Sequence, residues 1–127
     1  MHEFKFRAWD KARNVITPPF TLWDIDQSEE GLHIWINRYG EIYEDELIIM
    51  QYTGLKDCEG REIYEGDIIE TPLLTGVVTW DNFFGCWRVV DLDKVFNPAL
   101  TYSRAKESNI IGNIFENPEL LGGNDNV

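Results

Sequence analysis

The sequence is poor in positive charge. Its 127 residues include 11 lysines and arginines against 23 aspartates and glutamates, which gives a formal net charge of −12 at pH 7. Proteins that bind nucleic acid without sequence preference neutralise its phosphates with clustered lysine and arginine side chains. The composition therefore argues against a nucleic-acid-binding protein, and we expect the affinity for random duplex DNA to be negligible at physiological salt.

Cysteines and long apolar runs are also scarce. The two cysteines, Cys58 and Cys86, do not have a zinc-binding spacing, and a chain with 43% hydrophobic residues does not need a disulfide to fold. The longest apolar run is 47–50, far below the roughly 20 residues that span a bilayer. Residues 1–7 alternate charged and apolar side chains and lack the apolar core of a signal peptide. We therefore expect a soluble cytoplasmic protein with reduced thiols.

The sequence lacks the common catalytic and ligand-binding motifs. It contains neither of the glycine-rich phosphate-binding motifs and no H-E-x-x-H zinc motif. His2 is close to the start of the chain, and His33 lies on the polar side of an alternating segment. The serines are not in a G-x-S-x-G nucleophile elbow. We predict a protein that is not an enzyme, with no catalytic, cofactor-binding or metal-binding residues.

Two acidic stretches resemble metal loops only superficially. In the stretch that begins at Asp24, Glu29 replaces the glycine of a calcium loop and Trp35 replaces its closing carboxylate. Asp91 and Asp93 follow a predicted strand, but no third acid stands beside them. We interpret both stretches as turns or solvated surface.

What the sequence does contain is a series of short segments with period-two alternation, which is typical of strands. Residues 4–9 and 32–37 alternate in this way, and 76–81 and 87–91 form a predicted hairpin. Residues 92–108 show no pattern that assigns an element, and Asn117 is predicted to cap a single helical turn. The fold class is therefore mainly β (β or α+β) with little helix. We predict an N-terminal β extension (1–49), a small SH3-like barrel (50–121) and a flexible tail (122–127).

Three turn residues of the predicted barrel are singled out for structural reasons. Gly60 closes a type I turn that begins at Asp57, and Gly66 lies in a second turn where a positive φ is expected. The carboxylate of Asp67 can accept backbone N–H groups of that second turn. We interpret Asp67 as a structural cap rather than a catalytic acid.

Phe83 and Phe84 are the candidate interaction surface. They are adjacent at the predicted hairpin tip, where two consecutive side chains cannot both point inward along a regular strand. Either at least one ring is exposed and marks a protein contact, or the loop folds back and buries the rings. We favour burial slightly and keep both residues as the candidate surface.

Three strings are specific enough to carry a resemblance. They are KFRAWD at 5–10, YTGLKDCEGREIYEGDII at 52–69 and IGNIFENPELL at 111–121. Together they resemble the YopX family, small proteins found in bacteriophages and prophages. The resemblance implies a mainly β fold with a small barrel and a setting in the cytoplasm of a bacterial host. It implies no established activity and no agreed catalytic residues.

The function expected from these observations is that of a phage or prophage accessory protein, a non-enzymatic protein-interaction module. Two alternatives stay open: a nucleic-acid-associated replication or recombination factor, and an enzyme with an unrecognised metal-dependent site. We expect a protein partner, a homo-oligomer or both, and neither a membrane nor nucleic acid as partner. Residues 1–18 carry a net charge of +2 and residues 19–50 one of −7, so these two segments can attract each other, within one chain or between copies.

Overall fold

The computed structural model describes residues 4–28, 31–36, 40–43, 47–93 and 96–122. Strands make up 48% of the structure and the α-helix is short, so the predicted mainly β class is confirmed. The SH3-like barrel stays a prediction. The described strands and α-helix are, in chain order, β1 Lys5–Asp10, β2 Val15–Ile16, β3 Phe20–Thr21, β4 Ile25–Ser28, β5 Gly31–Ile36, β6 Gly40–Tyr43, β7 Leu47–Lys56, β8 Glu62–Tyr64, β9 Asp67–Glu70, β10 Thr75–Asp81, β11 Cys86–Asp91, α1 Tyr102–Lys106 and β12 Asn109–Asn113.

The chain divides into two compact units, Met1–Tyr52 and Thr53–Val127. The boundaries predicted from the sequence, 1–49, 50–121 and 122–127, stay a prediction. Residues 123–127 of the predicted tail lie outside the described residues.

In the first unit, β1 is the central strand of an antiparallel sheet. It pairs with β2, β3 and the first half of β7, with Ala8 opposite Ile49. Ala8 and Phe20 are buried, as expected for an alternating strand with one covered face. Asp10 ends β1, and its Oδ1 accepts hydrogen bonds from the backbone N–H groups of Ala12 and Arg13. The carboxylate therefore forms the turn into β2. A separate antiparallel sheet contains β4, β5 and β6.

The second unit is built on an antiparallel sheet with the strand order β11-β10-β9-β12. Alternate residues of these strands face one side and form the core, which also takes side chains from β8, from α1 and from the segment before α1. Burying each valine, leucine or isoleucine side chain contributes about 1.5–3 kcal/mol to folding. The buried core residues are Ile63, Ile69, Val78, Val89, Leu100 and Ala105.

Two glycine turns shape the start of this unit. Gly60, with a φ of 82°, closes the turn between β7 and β8, where its N–H donates to the Asp57 carbonyl at 3.0 Å. Gly66 has a φ of 88° and is buried between β8 and β9. Its N–H donates to the Val78 carbonyl at 2.9 Å, and its carbonyl accepts from the Ile114 N–H at 3.0 Å. Gly66 therefore joins two distant segments through its backbone.

Asp67 lies at the start of β9 and is buried. Its Oδ2 accepts a hydrogen bond from the backbone N–H of Tyr64 at 2.8 Å. The carboxylate thus spans the turn between β8 and β9 and links the two strands that flank it.

The helical elements differ from the sequence-based expectations. Helix α1 was not predicted; Thr101 caps it by accepting a hydrogen bond from the Arg104 N–H at 3.1 Å. The predicted helical turn is present as a 3-10 turn at Pro118–Leu121 with Asn117 at its N-cap position, but the Asn117 side chain makes no capping hydrogen bond. Its Oδ1 instead accepts from the Asn113 N–H at 3.1 Å, because the side chain turns back toward β12.

Candidate interaction site on the β10–β11 hairpin

The β10–β11 hairpin presents two phenylalanines at its tip. The strands pair from Gly76 opposite Asp91 to Asp81 opposite Cys86, and residues 82–85 form the loop. Phe83 is 87% exposed and Phe84 is 67% exposed. The expectation that the loop folds back and buries these rings is wrong. The Gly85 N–H donates to the Asp81 carbonyl at 2.8 Å, which closes the loop too tightly for it to cover its own side chains.

Asp81 holds this loop in one conformation. Its Oδ1 accepts hydrogen bonds from the backbone N–H groups of Phe83 at 2.8 Å and Phe84 at 3.3 Å. Its Oδ2 accepts a hydrogen bond from Nε of Arg88 at 2.5 Å. The guanidinium carbon of Arg88 lies 5.1 Å from the centre of the Phe84 ring, a cation–π distance. One carboxylate therefore positions the loop backbone and the arginine beneath it.

The electrostatics of this pair keep both side chains charged. The hydrogen bond from Arg88 lowers the pKa of Asp81 more than desolvation raises it, and the amides of the loop lower it further. The same hydrogen bond raises the pKa of Arg88. Both side chains are therefore charged at neutral pH.

Two tryptophans lie below the tip, on the face of the hairpin opposite to Arg88. Trp80 lies opposite Trp87 in the β-ladder, and their rings meet edge to face with centroids 5.0 Å apart. They lie on the same face as the core residues Val78 and Val89, because side chains two positions apart in a strand share a face. Trp80 is 41% exposed, so the apolar core face continues to the protein surface here.

We define the hairpin-tip site as Phe83, Phe84 and Arg88. The rings of Phe83 and Phe84 also meet edge to face, with centroids 4.7 Å apart. Aromatic residues and arginine are the side chains most enriched in the energetically dominant parts of protein interfaces. The site therefore has the composition and the fixed backbone of a surface that binds another protein.

The sequence indicated only part of this site. It singled out Phe83 and Phe84 but neither Arg88 nor Asp81, which holds the loop. An aspartate two residues before the loop phenylalanine is typical of a turn in which the side chain accepts backbone N–H groups, and this signal could have identified Asp81. The pairing of Asp81 with Arg88 depends on the hairpin register, which the sequence did not specify.

The acidic candidates have structural roles where they are described. Asp91 accepts a hydrogen bond from the Asp93 N–H at 3.0 Å, which forms a turn at the end of β11. Asp24 accepts one from the Thr21 N–H at 2.8 Å. Glu29 and the side chain of His33 lie outside the described residues. Within the part of the chain that is described, no group of three or more histidine, cysteine, aspartate or glutamate side chains is placed to hold a metal ion.

The cysteines are not bonded to each other. Cys58 is exposed in the turn after β7, and Cys86 is partly buried. The hairpin prediction placed Cys86 in the loop, but Cys86 is the first residue of β11. In the described residues there is no helix of the length and apolarity needed to cross a membrane.

A comparison with models of known protein families identifies the family of this chain. The model of the family described as YopX protein matches residues 5–122. The chain belongs to the YopX family. The resemblance carried by the three strings of sequence is therefore confirmed. Among curated proteins, no sequence matches the chain.

Two solved structures share the fold of this YopX family member. Protein EF1440 from Enterococcus faecalis is 27% identical, with a TM-score of 0.61, and the match covers 95% of this chain and 99% of that one. Protein YopX from Bacillus subtilis is 18% identical, with a TM-score of 0.56, and the match covers 97% of this chain and 98% of that one. The similarity extends over nearly the whole length of each chain and assigns no biochemical role.

Proposed function

We propose that this YopX family member is a non-enzymatic protein-interaction module, an accessory protein of a phage or prophage that acts in the cytoplasm of a bacterial host. The hairpin-tip site binds a protein partner, which is a host protein, a phage protein or a second copy of this chain. The observation that carries the proposal is the exposure of Phe83 and Phe84 on a loop that Asp81 holds rigid.

The energetics of the exposed rings support this function. Burying a phenylalanine side chain contributes about 1.5–3 kcal/mol. Phe83 and Phe84 stay largely exposed in the folded chain, so most of this stabilisation is still available for binding. A partner that covers both rings gains it on binding. Because Asp81 already orders the loop, little conformational entropy is lost when the partner binds.

The scaffold and the overall charge fit the same proposal. The predicted SH3-like barrel supplies a rigid base for the hairpin, since Val78 and Val89 anchor β10 and β11 in the core. The net charge of −12 attracts a partner with a basic surface and speeds its encounter with the hairpin. Phe83, next to the Arg88–Phe84 pair, then presents a free aromatic face to an apolar side chain of that partner.

Site-directed photo-crosslinking in the bacterial host tests this proposal. A photoreactive phenylalanine analogue replaces Phe83 in one variant and Leu73 in a matched control. Leu73 is 57% exposed in the turn between β9 and β10, at the other end of β10 from the hairpin tip. We expect the variant at position 83 to form a discrete protein adduct and the variant at position 73 to form none.

The mass of the adduct identifies the type of partner. An adduct of twice the chain mass indicates a second copy, and any other discrete mass indicates a foreign protein. Substitution of Phe84 by alanine in the crosslinking variant should remove the adduct. Equal crosslinking at positions 73 and 83, or none at position 83, would contradict the proposal.

A further inference from the structure

A separate concave site lies in the second unit, between the end of β7, the turn after it and α1. The cavity has a volume of about 400 Å³, within the range of roughly 300–1,000 Å³ typical of small-molecule sites. Its lining includes Leu55 and Lys56 from β7 and Tyr102 and Lys106 from α1. We call this cavity the Lys56 pocket.

The Lys56 pocket concentrates positive charge on an acidic protein. Lys56 and Lys106 are both exposed, and within the described residues no carboxylate oxygen forms an ion pair with either ammonium group. Asp57 also lines the cavity, but its side chain is fully buried and paired with Arg61 at 3.0 Å. Its negative charge is therefore compensated by Arg61.

An aromatic ring stands beside these two lysines. Tyr102 is 67% exposed, and Nζ of Lys106 lies 5.4 Å from the centre of its ring. The two residues are four positions apart in α1 and so share one face of the helix. Ala105 is fully buried and anchors α1 in the core. The ring and the ammonium group are thus presented to the cavity by a fixed element.

We infer that the Lys56 pocket binds a mononucleotide, a small anion that combines a phosphate with a planar base. Lysine ammonium groups attract a phosphate as point charges, and Lys56 and Lys106 supply two of them at one cavity. Bases stack on exposed aromatic rings whatever their sequence, and Tyr102 supplies that ring. Leu55, partly buried against the core, gives the cavity an apolar wall.

The charge of the whole chain favours a single nucleotide over a nucleic acid strand. The two lysines face one or two negative charges on a mononucleotide. A longer strand would place further phosphates over a surface that carries 23 acidic side chains. Repulsion between these charges opposes binding of a strand and leaves binding of the monomer favourable. This inference does not depend on the function proposed for the hairpin-tip site.

Isothermal titration of the full chain with adenosine monophosphate tests the inference. We expect saturable binding that weakens about fivefold in Lys56→Ala and in Lys106→Ala, since each removes one partly exposed charge contact. Tyr102→Ala should weaken binding at least about fivefold through the loss of stacking. Lys11→Ala is the matched control, because Lys11 is an exposed lysine of the first unit. Thermal melting of each variant verifies that it is folded.

Three further ligands test separately the contributions of the phosphate, the base and the length of the strand. Ribose 5-phosphate and adenosine should each bind more weakly than adenosine monophosphate, because each keeps only one half of the recognised chemistry. A 5′-phosphorylated oligoadenylate should bind more weakly than the monomer. Tighter binding of the oligonucleotide, no saturable binding of adenosine monophosphate, or equal effects of Lys11→Ala and Lys56→Ala would overturn the inference.

Discussion

The carboxylate of Asp57 accepts a hydrogen bond from the backbone N–H of Ile110 at 3.2 Å, which joins two residues 53 positions apart in the chain. The same carboxylate accepts hydrogen bonds from the N–H groups of Glu59 and Arg61, each at 2.9 Å, and from Nε of Arg61 at 3.0 Å. One buried side chain therefore fixes the turn between β7 and β8 and ties that turn to β12.

The first prediction concerns this carboxylate. Asp57→Ala leaves four hydrogen-bond donors without their acceptor, and we expect it to lower the free energy of unfolding by about 3 kcal/mol. Urea denaturation followed by tryptophan fluorescence measures the change. Glu59→Ala, at an exposed position of the same turn, is the control and should change stability by less than about 0.5 kcal/mol. Similar stability of the two variants would contradict the role assigned to Asp57.

The second prediction is the pH dependence that follows from Asp57. Burial raises the pKa of Asp57, but hydrogen bonds from the backbone of Arg61, Ile110 and Glu59 and the charge of Arg61 lower it more, so this pKa lies below that of an ordinary aspartate. A lowered pKa in the folded state stabilises the protein above the unfolded-state pKa, and this stabilisation is lost as pH falls through the folded value.

Urea midpoints at about pH 6 and about pH 3 check this expectation. The wild-type chain should lose more stability between these two pH values than Asp57→Asn does, because asparagine does not titrate. An equal loss in both proteins would show that other carboxylates account for the acid sensitivity.

The third prediction compares two glycines with positive φ. Gly60→Val should cost about 1–2 kcal/mol, the strain of a left-handed conformation, because a Cβ at Gly60 meets nothing within 4 Å. Gly66→Val should cost about 2 kcal/mol more, because Gly66 is buried and both its N–H and its carbonyl are hydrogen-bonded. Thermal melting of the two variants measures these losses of stability. An unchanged melting temperature in Gly66→Val would show that this turn tolerates a side chain.

The fourth prediction tests whether Asp81 orders the hairpin tip. Asp81→Ala removes the acceptor for the N–H groups of Phe83 and Phe84 and leaves Arg88 without its carboxylate. Hydrogen exchange at these two amides, followed by NMR, should become faster while the melting temperature stays close to that of the wild type. Asp91→Ala, which removes the turn at the other end of β11, is the control and should leave exchange at the tip unchanged.

The fifth prediction concerns self-association. We expect sedimentation velocity at micromolar concentration to show a homo-oligomer that persists in reductant, because Cys58 and Cys86 are free. Aromatic and edge-strand contacts, rather than a disulfide, are expected to hold the copies together. The experiment is run at two salt concentrations to measure the contribution of ion pairs. A monomer under both conditions would remove this expectation, and an oligomer that dissociates only in reductant would assign its stability to a cysteine.

The β elements were accessible from the sequence because their signals are local. Alternation identified β1, β5 and the two strands of the β10–β11 hairpin, and turn glycines marked where the chain reverses near Gly60 and Gly66. These signals depend on residues within a few positions of each other, so they do not require knowledge of the tertiary structure.

The features that sequence reasoning missed depend on distant contacts. Helix α1 has five residues, too few for an apolar periodicity, and it is held by the burial of Ala105 in a core built from other elements. Asn117 resembles a helix cap, but its side chain is used by Asn113 in β12. The exposure of Phe83 follows from the closure of the loop by Gly85 and Asp81, which alternation alone does not reveal.

The segment before α1 limits how a partner protein could bind the hairpin. The Val89 N–H donates to the Pro98 carbonyl, the Asp91 N–H to the Phe96 carbonyl and the Leu100 N–H to the Trp87 carbonyl. Residues 96–100 thus occupy the outer edge of β11, and Pro98 has no N–H to offer to a further strand. The β11 edge of the sheet is therefore covered, which prevents the repeated addition of strands from other molecules that leads to fibrils. The partner proposed for the hairpin-tip site would therefore contact the side chains of the hairpin rather than extend its backbone ladder at this edge.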